Sequence, residues 1–315
     1  MKALIYRKFG EPNVLEWCED WPPPLVSPNS VLIRSIAGGV NPKDVLLRKG
    51  KFSRTLARDP LPRVTGMDVA GEVVKLGEGV SNLEVGNIAF GMSNNFTGGV
   101  HSELAILDAN EVAFVPSNLS PVEASSIPLA AQTALQALRD HCKVVAGQRV
   151  LINGASGGVG HFAVQIASLL GAEVHAVCGP DHLDFVASLG ADVVHDYTVE
   201  PAPAITASFH AVFDVFGLFS RGNFARQLGP RGIFVSTVPR LATLWGELLA
   251  HAGLNRRSRL VRVKSCTADL NQLRKWVETD QLKPHVEKVY PVARAKAAHR
   301  HIESKHTTGK IVISF

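Results

Sequence analysis

The residues best placed to do chemistry are a run of small ones, NGASGGVG (Asn153–Gly160). The run lies between an apolar stretch, RVLI (Arg149–Ile152), and a helix-like pattern, HFAVQIASLLG. Against the dinucleotide fingerprint GxGxxG, the three slots hold Ala155, Gly157 and Gly160, with alanine in the first. Small residues let the chain turn sharply and let backbone N–H groups approach a pyrophosphate at a helix N-terminus. Ala155, Ser156, Gly157, Gly158, Val159 and Gly160 are therefore candidate cofactor contacts, and the strand–turn–helix setting favours them over a purely structural glycine turn. His161 follows, either touching the pyrophosphate or lying on a helix surface.

A second strand should end at the residue that reads the adenosine ribose. An Asp or Glu there would bind both hydroxyls and repel a 2′-phosphate. The strand EVHAVC ends instead in Val177, Cys178 and Gly179, followed by Pro180, Asp181 and His182. No acid occupies the tip, so NADPH is expected over NADH. His182 and Tyr197 are candidates for the phosphate, each with an equal alternative as a solvated loop residue or a packed aromatic.

These residues need a frame. Residues 1 to about 119 read as short strands joined by Gly, Pro and Asn turns, such as Val31–Ile36, Val69–Leu76 and Ser102–Leu107, which predicts a largely antiparallel β domain. From about 120 a helix-like stretch (Val122–Leu138) opens an alternation of strands and helices, the sign of a doubly wound parallel sheet. After about 281 short strands return and end in GKIVISF, so the C-terminus is expected to fold back. The domains are thus 1–119 with 282–315, and 120–281, in an α/β chain.

Composition agrees. The 315 residues are 46% apolar and 19% charged, enough for two soluble domains. A net charge of +5 is too scattered to suggest nucleic-acid binding. Cys18, Cys142, Cys178 and Cys266 are too dispersed for a disulfide framework or a four-cysteine zinc site. No segment reads as a signal peptide or a membrane span, so a cytoplasmic protein is expected. Leu241–Leu254 is the most apolar stretch. The basic cluster after it (Arg256, Arg257, Arg259, Arg262, Lys264) reads as a solvated face, with peripheral membrane contact as the alternative.

With these motifs in order, the chain resembles the medium-chain dehydrogenase/reductase superfamily and within it the quinone oxidoreductases, in the branch of the chloroplast-envelope quinone oxidoreductase homologues. The likeness runs through MKALIYRKFGEPNVLE, NPKDVLLRKG, VTGMDVAGEVVKLGEGV, AAQTALQAL, VLINGASGGVGHFAVQIA, SLGADVVHDY and HTTGKIVISF. It implies a GroES-like domain beside a Rossmann domain, a nicotinamide cofactor in the cleft between them, and a homodimer joined through an edge strand, here LVRVKS (Leu260–Ser265). Zinc-dependent members hold a catalytic metal at positions that correspond to Asn41 and Met67, where an amide and a thioether replace thiolate and imidazole. The resemblance therefore implies a zinc-free site.

By the same resemblance Asn41 faces the acceptor, offering its amide to the acceptor carbonyl, with an Asn-Pro turn as the plainer role. Thr133 would orient the nicotinamide carboxamide or a ribose hydroxyl, or simply bond its own helix. Asp44 reads as a cap of the helix that follows, with holding the Asn41 loop as the alternative. A tyrosine common in the family two residues beyond it, a plausible proton donor, is Leu46 here. The expected activity is hydride transfer from NADPH to a small lipophilic quinone or enone. The rivals are an enoyl-thioester reductase and a non-catalytic NADPH-binding protein of crystallin-like or RNA-binding type.

Overall fold

A computed structural model describes residues 1–53, 55, 59–239 and 257–315. The apolar stretch Leu241–Leu254 and Arg256 lie outside them. The chain forms two compact units: Met1–Gln132 with Lys264–Phe315, and Thr133–Val263.

The first unit is built on the strand Ser30–Val40, which pairs antiparallel with Asp68–Leu76, Leu104–Asp108 and the C-terminal strand Lys310–Ser314. Alternating Val31, Ile33, Val69, Val73, Ala105 and Leu107 are all buried in one core cluster. Each such valine, isoleucine or leucine taken from water contributes roughly 1.5–3 kcal/mol. The fold-back expected for the C-terminus is therefore a register: Ile311 faces Val40 and Ile313 faces Gly38.

Contacts also draw into this unit two segments that the sequence rhythm assigned to the second. The helix Thr267–Glu278 packs on the strand Val112–Phe114, and Asn118 donates to Val277 O at 2.9 Å. The stretch expected as one helix over Val122–Leu138 is broken. Pro121–Ala124 ends before a new helix, Pro128–Gln136, because a proline inside a helix lacks its N–H and crowds the preceding turn, whereas at the first position it fits.

Among the described residues the second unit holds a six-stranded, all-parallel sheet. Its strands in spatial order are Val193–Asp196, Glu173–Cys178, Arg149–Asn153, Phe209–Asp214, Leu228–Ser236 and Ser258–Leu260. Numbered along the chain the order is 3-2-1-4-5-6, the doubly wound nucleotide-binding arrangement, whose crevice opens where the first and fourth strands diverge. Leu151, Val177, Val212, Phe224 and Phe234 fill its core. The edge strand is Ser258–Leu260 rather than Leu260–Ser265. It ends where its partner ends, with Ser236 opposite Leu260.

Candidate active site

The glycine run lands at the switch point. Ala155 is fully buried, its N–H bonded to Val177 O at 2.9 Å, so alanine suits the first slot. The left-handed turn falls one residue earlier, at Gly154 (φ +87°). Gly160 opens the helix Gly160–Leu169, and a Cβ there would stand 2.0 Å from Gly154 O. Gly157 is different, since a Cβ would meet only Gly154 O at 3.6 Å. Ser156, Gly158 and Val159 are partly exposed, and among the described residues their backbone N–H groups carry no hydrogen bond. Several unmatched donors at the start of a helix fit a pyrophosphate. His161 is fully buried rather than on a helix surface, its Nδ1 3.0 Å from Gly157 O.

On the neighbouring strand, Asp214 fixes the facing loop: one oxygen accepts from Asn153 Nδ2 (2.8 Å) and Gly217 N (3.0 Å), the other from Phe219 N (2.8 Å). At the second strand tip Cys178 is buried and its thiol is pushed up to about 11, chiefly by burial and then by Asp196. Tyr197 packs on Gly179, since a Cβ there would lie 3.3 Å from the Tyr197 ring, and the tyrosine stays 49% exposed. Gly179 and Tyr197 thus stand together, with His182 two residues into the short helical turn Pro180–His182.

In the first unit, Asn41 ends the strand Ser30–Val40 and starts the helix Pro42–Arg48. Asp44 caps that helix as expected, accepting from Asn41 N at 2.8 Å. Asp44 is buried, one of its oxygens has no partner among the described residues, and burial, opposed by the Asn41 bond, raises its pKa to about 7.

The Asn41 amide is not offered outward. It is 1% exposed, and Nδ2 donates to Asp68 Oδ2 (2.8 Å) and Gly39 O (3.3 Å) while Oδ1 accepts from Lys310 Nζ (2.5 Å). Asp68 also accepts from Leu129 N at 2.8 Å, and Lys310 lies 3.7 Å from it. Burial acts against charge on both partners, raising the Asp68 pKa and lowering that of Lys310. This geometry goes against direct donation from Asn41 to an acceptor carbonyl, because both amide hydrogens are engaged inside the protein.

Asp68, Lys310 and Lys43 were missed by sequence reasoning. One signal was present: the Gly38-Gly39 pair allows the close approach, since a Cβ at Gly39 would stand 2.8 Å from Asp68 Oδ2. Met67 is buried beside Asp68. Thr133 is buried in the helix Pro128–Gln136.

A β unit and a 3-2-1-4-5-6 sheet with a donor-bearing glycine turn define the class of medium-chain dehydrogenases and reductases. A family model for the alcohol dehydrogenase GroES-like domain matches residues 27–117, and one for the zinc-binding dehydrogenase matches 189–313. The chain is 30% identical, over 99% of its length and 79% of the relative's, to an NADPH-dependent alkenal/one oxidoreductase, chloroplastic, of Arabidopsis thaliana. It is 29% identical, over 99% of its length and 98% of the relative's, to the chloroplast envelope quinone oxidoreductase homolog of the same plant. Among solved structures, the quinone oxidoreductase of Coxiella burnetii superposes with a TM-score of 0.88 at 30% identity, covering 100% of this chain and 99% of that one. The chain belongs to the quinone oxidoreductase family of the medium-chain dehydrogenase/reductase superfamily.

Proposed function

We propose that this protein is an NADPH-dependent reductase of α,β-unsaturated carbonyls and quinones that works without zinc. The observation that carries the reading is the donor-bearing glycine turn in a chain alike over 99% of its length to an NADPH-dependent alkenal/one oxidoreductase. When bound, NADPH supplies hydride from its dihydronicotinamide C4. The residues to hold it are Ala155–Gly160 at the pyrophosphate and Cys178, Gly179, His182 and Tyr197 around the adenosine phosphate, with Thr133 toward the nicotinamide.

Zinc independence is supported by the donor set. At the first metal-ligand position the Asn41 amide is closed by an ammonium, Lys310, which would repel a metal cation, and Met67 offers only a thioether. Without a Lewis acid, acceptors that spread negative charge by themselves are the ones reduced readily, which singles out enones and quinones over simple ketones. Asn41 then acts as a positioning residue that holds its loop to Asp68 and Lys310.

The reading also makes the chain a cytoplasmic homodimer joined along the sheet edge Ser258–Leu260. Four unpaired cysteines suit a reducing compartment. Arg257, Arg259, Arg262 and Lys264 then serve as a solvated face flanking that edge.

The test is NADPH oxidation measured against quinones, alkenals, enones, enoyl thioesters and saturated ketones, with and without chelator. Enones and quinones should be reduced in chelator, with NADPH preferred to NADH by about tenfold or more in kcat/KM, ~1.4 kcal/mol. Ketone reduction that disappears when zinc is removed would contradict the reading.

A further inference from the structure

As hydride adds to an enone, negative charge gathers on the carbonyl oxygen, and a donor or cation is needed there. Asn41 cannot provide it, because its amide hydrogens go to Asp68 and Gly39. Lys310 is 2% exposed and bonded to Asn41, so its charge is also spent internally.

Lys43 is placed differently. It sits two residues beyond Asn41, in the first turn of the helix Pro42–Arg48, and is half-buried. Its Nζ stands 4.5 Å from the centroid of the Phe96 ring. Among the described residues its ammonium has no hydrogen bond and no ion pair. A lysine ammonium carries three strongly hydrated donors, so one partly withdrawn from water with no protein partner for any of them is open to a ligand. The ring face supports the charge without consuming a donor.

The surroundings suit a lipophilic acceptor. Phe52 meets Phe96 edge-on with centroids 5.7 Å apart. Leu46, three residues on and so on the same helix face, is 39% exposed. Asp44 and Asp68 lie close enough to favour the charged lysine, although burial outweighs them and lowers its pKa below 10.5.

We propose that Lys43 is a catalytic residue, its ammonium bonding the acceptor carbonyl oxygen and supplying the proton that oxygen takes. The role rests on the enone and quinone reductase reading. Hydride from NADPH forms the new C–H bond at the β carbon, the C=C electron pair moves toward the carbonyl carbon, and the carbonyl π pair settles on oxygen. Lys43 gives that oxygen one proton and becomes a neutral amine, which water reprotonates. The enol passes to the saturated ketone by proton exchange with water. The acceptor gains two electrons and two hydrogens, and NADPH leaves as NADP⁺.

Lys43→Met removes the charge at similar length, and Lys43→Arg keeps charge and donors. Compared with the wild type, Lys43→Met should lose roughly 10²–10³-fold in kcat/KM with an enone, as expected for an oxyanion donor. Lys43→Arg should recover most of that loss. NADPH affinity by fluorescence and thermal stability should stay at wild-type values in both. Wild-type kcat/KM should fall on the alkaline side as the ammonium loses its proton, and Lys43→Met should be flat there.

Among the described residues, the other ionisable groups around Lys43 are Asp44, Asp68 and, beyond them, Lys310. Asp44 titrates near 7 and so shapes only the neutral limb. An alkaline limb that persists in Lys43→Met belongs to Lys310 and overturns the assignment. Wild-type kcat/KM in Lys43→Met overturns it too, as does a loss matched by weaker NADPH binding or lower stability. A wild type that reduces neither enones nor quinones overturns the reductase reading itself, and the role of Lys43 with it.

Discussion

Asn41 bridges a buried carboxylate and a buried ammonium, and its removal leaves Asp68 and Lys310 each short of a hydrogen bond. Hydrogen bonds to charged groups contribute about 1.5–3 kcal/mol each, so losing two in Asn41→Ala should cost ~3–6 kcal/mol of stability, read by thermal or denaturant unfolding. Activity should fall only as far as the loop shifts. Wild-type stability with a large fall in kcat alone would restore Asn41 to direct contact with the acceptor. Position 41 was marked out in the sequence by the resemblance, although the donor role implied there runs against the bonds its amide makes to Asp68, Gly39 and Lys310. Its partner was not, because Lys310 lies 269 residues away and nothing local in GKIVISF distinguishes a buried lysine from an exposed one. Lys43 was hidden for a similar reason: a lysine near a helix start is ordinarily a solvated one, and only the Phe96 ring and the missing partner set it apart.

Two glycines of one turn should fail in different ways. Gly160→Ala would drive a Cβ to 2.0 Å from Gly154 O and 2.8 Å from the Ala155 backbone, so it should lower stability and NADPH affinity together. Gly157→Ala meets nothing closer than 3.6 Å and should fold normally, losing NADPH affinity alone because the methyl stands where the pyrophosphate approaches. Unfolding curves alongside fluorescence titration separate the two, and equal effects of both substitutions would contradict this turn geometry. At this scale the sequence was most readable where a pattern is local. The strands Arg149–Asn153 and Glu173–Cys178 and the helix Gly160–Leu169 fall within a residue or two of their patterns. It was least readable where a partner decides the outcome. The edge strand stops with Ser236 and not with the alternation in LVRVKS.

Over the whole chain, the change of rhythm near residue 120 marks a passage from an antiparallel β unit to a parallel sheet, and the final strand returns to the first unit, as its isolated pattern suggested. The exact division was less legible. The helix Thr267–Glu278 follows helical periodicity yet packs on Val112–Phe114, and periodicity alone does not name a packing partner. No helix among the described residues is long and apolar enough to cross a membrane. The central claim is direct reduction of a conjugated double bond by NADPH, and it is tested most directly by following the hydride. The protein is incubated with an enone and NADPH carrying deuterium at both C4 positions, and the product is examined by NMR and mass spectrometry. One deuterium at the β carbon of a saturated ketone, with solvent hydrogen at the α carbon, is the predicted result. Deuterium at the carbonyl carbon of an allylic alcohol, or a product without label, would contradict the account.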